Sequence, residues 1–142
     1  MTNFNPAYFG RVFLRLTAGV ALITHSLYLK VFVFTMAGTV GFFQSIGLPG
    51  FLAWVTLLLE IVTGVMLILR IKPPIAATAA VPILLGATWT HSANGWLLSN
   101  SGGGWEYPLF WTMTLVSIAL TEWQPNTALA ACEPQACALP KN

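Results

Sequence analysis

The chain has 142 residues, of which 56% are hydrophobic and only 7% charged, with a mean hydropathy of +0.75. A soluble domain carries about 25% charged residues, so this composition excludes a water-covered surface and indicates an integral membrane protein. A net charge of +2 without a basic cluster excludes a nucleic-acid partner, and two cysteines are too few for a disulfide scaffold.

Four long apolar runs follow in chain order: Tyr8–Lys30, Phe51–Ile71, Ile75–Leu98 and Tyr107–Trp123. Each has the roughly 17 to 25 residues that a helix needs to cross a bilayer. Helices satisfy their own backbone within lipid, so the expected fold is all-α, an antiparallel four-helix transmembrane bundle. The first run lacks a small-residue cleavage site after Ile23 and stays apolar past Lys30, which argues against a removed signal peptide. Between the first two runs lies the glycine-rich, apolar segment 31–50, read as a short interfacial or re-entrant piece. Residues 1–124 form the membrane domain, and 125–142 read as a flexible cytoplasmic tail.

Charge sets the orientation. Arg11, Arg15, Arg70, Lys72 and Lys141 fall on one side and Lys30 on the other, which places both termini in the cytoplasm. The stretch "THSANGWLLSNSGGGWEYP", Thr90–Pro108, then faces outward. Its middle, "SNSGGG", reads as a flexible turn that brings its two ends to one place.

Every run carries an ionisable residue that is costly in lipid: Arg15 and His25, Glu60, His91, and Glu106. At about 100° per residue, Arg11, Arg15, Ala18, Leu22, His25 and Leu29 lie within an arc of about 80°. Around Glu60 the same face holds Ala53, Thr56, Thr63, Gly64 and Leu67. Around His91 it holds Ala77, Ala80, Leu84, Ala87, Thr88 and Gly95. Below Glu106 it holds Phe110, Thr114, Ser117 and Thr121. Small and hydroxyl residues suit close helix contacts in membranes. The expectation is one polar cluster of His25, Glu60, His91 and Glu106 in the outer half of the bundle.

The chemistry of each residue leaves alternatives open. Glu60 is a candidate proton-relay carboxyl or a structural partner for His25, His91 or Arg15. His25 and His91 serve proton transfer or structure, or ligate a metal or haem. Lys30 gates an outer mouth together with Glu106, or snorkels to the headgroups. Trp89, Trp96, Trp105, Tyr107 and Trp111 wall a quinone pocket or form the aromatic belt of the interface. Cys132 and Cys137, spaced C-x4-C, are a transient redox pair or part of an unstructured tail.

The ordered set of Arg15, "THSLYLK" with His25 and Lys30, "GLPG", Glu60 with Gly64, "HSANGW" and "GGGWEYP" resembles the DoxX family of small bacterial membrane proteins, from Phe9 to Leu120. Ser26 stands where most such proteins carry glycine. The resemblance implies a four-helix inner-membrane protein, and a role as accessory subunit of a quinone-linked oxidoreductase, with another membrane or soluble redox protein as partner. The catalytic candidates are then Glu60, His91, Glu106 and His25, with Trp89, Trp96, Trp105 and Lys30 toward a quinone. The alternatives are a non-catalytic anchor or assembly partner, and a small oligomeric transporter of a metal or weak acid.

Overall fold

The computed structural model describes residues 5–123, and every regular element among them is helical. The first helix, α1 (Pro6–Ile23), starts on an Asn5 cap whose side chain accepts from the Tyr8 amide, with Pro6 in the first turn. It runs straight on into a π-helical segment, Thr24–Val33. Together they form one apolar rod of 28 residues. After it come α2 (Thr35–Ser45), α3 (Phe51–Ile68), α4 (Pro73–His91), a short 3-10 turn (Ser92–Asn94) and α5 (Glu106–Glu122). Three stretches, Pro6–Val33, Phe51–Ile68 and Pro73–Asn94, are long and apolar enough to cross a membrane.

Segment 31–50 is more ordered than its glycines indicated. Thr35, at φ 61°, breaks the rod, and its hydroxyl accepts from the Gly38 amide to start α2. The buried Thr39 hydroxyl then reaches back to the carbonyl of Lys30, 3.2 Å away, and ties α2 to the π segment.

Contacts link α1 with α3, α3 with α4, α4 with α5, and α5 back with α1. Along α1 and α3 the paired positions run in opposite order: Arg15 meets Leu67, Gly19 meets Gly64, and Ser26 meets Glu60. The glycine crossing is a true backbone contact. A Cβ added at Gly19 would lie 2.8 Å from the Gly64 carbonyl oxygen, and one at Gly64 would lie 2.9 Å from that of Gly19. Such approach is how membrane helices gain packing when lipid removes the hydrophobic drive between them. The α4 face of Ala76, Ala77, Ala80 and Leu84 receives Trp111, Leu115 and Ile118 of α5, small residues against large.

The expected inward faces hold for α3, where Ala53, Glu60, Thr63, Gly64 and Leu67 are all buried. They fail for α5. Phe110 is 71% exposed, and the buried face is instead Pro108, Trp111, Thr112, Leu115 and Ile118. Thr114, Ser117 and Thr121 donate to the carbonyls of Phe110, Met113 and Ser117 within their own helix, so they need no inward partner. The third run also ends early. The helix stops at His91, and Gly95 at φ 82° turns the chain into the loop, so residues 95–98 are not part of it. Cys132, Cys137 and Lys141, with the tail assigned to 125–142, lie outside the described residues.

A candidate membrane-embedded polar site

The π segment carries His25, Ser26 and Lys30 within six consecutive positions. π-helical turns are rare and concentrate at functional sites. Ser26 is fully buried and donates to Glu60 Oε2 at 2.6 Å, and Lys30 Nζ meets the same oxygen at 2.7 Å. The Lys30 and Glu60 side chains are only 12% and 3% exposed. A buried charge is tolerable only when paired and hydrogen-bonded, and both conditions are met here. Because both contacts fall on Oε2, Oε1 of Glu60 has no hydrogen-bond partner among the described residues.

Lys30 therefore neither gates a mouth with Glu106 nor snorkels outward. It folds back onto Glu60, while Thr39 holds its carbonyl.

One position away, His25 turns toward α5 rather than α3. Its ring meets Trp111 edge-on, with centroids 5.8 Å apart, and Trp111 in turn contacts Tyr107 at 5.7 Å. His25 also lies within electrostatic reach of Glu60, Lys30 and His91. Neither ring nitrogen of His25 has a hydrogen-bond partner among the described residues. The ring lies on an open groove of about 600 Å³. Phe13, Leu16, Thr17, Val20, Ala21 and Thr24 of the rod line it, with Tyr107 and Trp111 beside His25. Trp89, Trp96 and Trp105 do not line this groove.

His91 and Glu106 belong to a different construction. His91 Nδ1 lies 3.1 Å from the Gly102 carbonyl, which can only accept, so Nδ1 carries a proton. The approach of Asn94 Nδ2 to that same ring nitrogen, 3.4 Å, is then a contact between donors. Asn94 instead donates to the Gly102 and Gly103 carbonyls, at 3.1 and 2.9 Å. Asn100 returns a bond to the Asn94 carbonyl, and Glu106 Oε1 accepts from the Leu98 amide at 2.8 Å. Gly104 packs so tightly on the Trp96 and Leu97 carbonyls that no Cβ fits. Trp96 and Trp105 close the loop edge to face, 4.4 Å between centroids. "SNSGGG" is thus a cross-linked loop, not a loose turn. Of the four expected cluster residues, His25 lies within reach of both Glu60 and His91, while His91 and Glu106 spend their hydrogen bonds on the loop.

Toward the other end of the rod, Arg15 is 5% exposed and donates to the Leu67 carbonyl at 2.8 Å, capping α3. Its Nε stands 3.8 Å from Glu122 Oε1 without a hydrogen bond. Arg11 lies 3.5 Å from the Thr121 carbonyl at the end of α5. Both arginines serve helix C-termini, where a cation is favoured.

Sequence reasoning missed Ser26, Thr39 and Glu122 as partners. Two of the three were within reach. Ser26 lies four residues before Lys30, hence on the same helix face, and Glu122 ends the fourth run at the level where Arg15 begins the first. Thr39 depended on an unforeseen helix. Among the described residues no group of three or more His, Cys, Asp or Glu side chains is placed to hold a metal ion.

Comparison with known proteins bears on this arrangement. The chain is 30% identical over 112 residues to a Bacillus subtilis (strain 168) protein named "Putative oxidoreductase CatD", a match that covers 79% of this chain and 78% of that one. No solved structure matches the chain. The DoxX family model matches residues 10–93, which include Arg15, His25, Ser26, Lys30, Glu60 and His91 but not α5. With its long apolar helices, this is a membrane protein, and the chain belongs to the DoxX family.

Proposed function

We propose that the chain is a membrane-embedded accessory subunit of a quinone-linked oxidoreductase system, with its site at His25 and the Lys30–Glu60–Ser26 group. One observation carries this reading. An imidazole with two unpartnered nitrogens lies on an apolar groove and is backed by a buried, hydrogen-bonded ion pair. Intramembrane ionisable residues of this kind mark proton and substrate pathways. The family membership and the relative's name as an oxidoreductase point the same way.

Two-electron reduction of a quinone consumes two protons, so a partner that supplies the electrons needs a proton donor at the ring oxygens. As an imidazolium, His25 bonds one ring oxygen and hands it one of the two protons, returning to neutral imidazole, and the second proton reaches the other ring oxygen from water. Glu60 and Lys30 form a charge-balanced pair beside it, and the open Oε1 of Glu60 takes a proton from water and passes it to the imidazole. In this reading α5 is the fourth span of an antiparallel four-helix bundle in the bacterial inner membrane. Both termini lie in the cytoplasm, as the positive-inside rule requires, and α2 lies at the outer surface.

The test is binding of a quinone to the protein in lipid nanodiscs, for wild type, His25→Ala and Glu60→Gln. Wild type should bind, and His25→Ala should lose about tenfold or more in affinity, the scale of a lost hydrogen bond to a charged group. Absence of quinone binding in wild type, alongside stable co-purification with another protein, would instead favour the assembly-partner role.

A further inference from the structure

The groove has a direction. Phe13, Leu16, Thr17, Val20 and Ala21 recur at helical spacing, so its floor is one stripe of the rod, about 18 Å from Phe13 to His25 at 1.5 Å per residue. At the His25 end α5 adds two rings, Tyr107 and Trp111. No lining residue from another helix accompanies the Phe13 end. An occupant matching this shape has a flat head between the three rings and a long apolar body along α1.

Depth narrows its chemistry. The rod spans Pro6–Val33, about 40 Å, close to the full thickness of a bilayer with its headgroup layers. Phe13 and His25 stand seven and eight residues from its two ends, about 10 Å inside each. The whole groove thus lies within the hydrocarbon core. A phospholipid, whose charged head stays at the surface, cannot place that head at His25. A small uncharged ring on a long hydrocarbon tail can.

Resting on the function proposed above, we propose that the groove is a lateral entry from lipid for a long-tailed quinone or quinol. Its ring lies against His25, Tyr107 and Trp111, and its tail lies along Val20 and Leu16 toward Phe13. The ligand reaches the site within the membrane, without passing the Ser92–Trp105 loop. Because the tail leaves lipid for protein, it gains shape fit rather than hydrophobic energy. Blocking the stripe should therefore cost affinity for tailed molecules only.

The experiment uses the full chain in nanodiscs and two photoreactive quinones of identical ring, one with the reactive group on the ring and one with it at mid-tail. Val20→Trp fills the groove at a position 55% exposed, and Val62→Trp, at 51% exposed on α3, is the control. The expected result is ring labelling at residues 107–111 and tail labelling at residues 13–20. Val20→Trp should abolish the tail labelling and reduce tailed-quinone affinity about tenfold, leaving a tailless analogue and the Val62→Trp protein within about twofold of wild type. Ring labelling at 107–111 with tail labels spread over all helices would overturn the lateral groove and leave the quinone site standing. No labelling by either probe would overturn both.

Discussion

Among the described residues two buried ion pairs lie along one rod, Lys30–Glu60 near one end and Arg15–Glu122 toward the other, and they are built differently. Lys30 and Glu60 meet at 2.7 Å and share an oxygen with Ser26, beside the groove. Arg15 and Glu122 stand 3.8 Å apart, while the guanidinium spends its short bond on the Leu67 carbonyl. Arginine does not deprotonate in proteins, so the Arg15 end has a cation that can only hold. The Lys30 end joins a lysine, a carboxyl, a hydroxyl and a neighbouring imidazole, all groups that exchange protons. In the function proposed above, what distinguishes the Lys30 pair is therefore its place beside a histidine and an open groove, not its burial.

The sharpest way to break this contrast is to remove one partner. Glu60→Ala leaves the Lys30 ammonium buried and alone, and should destabilise the protein by about 3 to 5 kcal/mol, read as thermal unfolding in detergent. The double variant Lys30→Met with Glu60→Met should recover most of that loss, since matched apolar residues often replace a buried pair at no cost. It should nonetheless fail to support quinone turnover with a partner. A stable, fully active double variant would make the pair purely structural.

Arg15→Met should cost about 2 kcal/mol through the lost charged hydrogen bond to the Leu67 carbonyl, which keeps the Arg70 amide at 3.4 Å. Quinone affinity should stay within about twofold of wild type, which separates the two ends by function. A smaller effect is expected in the loop. Asn94→Ala removes two bonds from a half-buried amide and should cost about 1 kcal/mol. It should show first as faster amide exchange at residues 100–104, with little change in global stability.

Much of this was legible in the sequence. The all-helical fold, three long apolar helices and the buried face of α3 follow from run length and from placing each costly residue inward. The burial of Glu60 follows for the same reason. The failures share a physical cause. Thr114, Ser117 and Thr121 looked like an inward polar stripe, yet a hydroxyl can satisfy itself on the carbonyl one turn back. His91 and Glu106 looked like members of one cluster, yet backbone groups in the loop supplied nearer partners than any side chain did. Periodicity reports which residues share a face. It is silent on local backbone acceptors, and on a π segment that sends His25 and Ser26 to different helices.

The most direct test compares the two histidines that the sequence treats alike. Equilibrium binding of a long-tailed quinone in nanodiscs should fall about tenfold or more for His25→Ala and stay within about twofold for His91→Ala. Equal losses in the two variants, or a larger loss for His91→Ala, would contradict a site centred on His25 and return it to the loop.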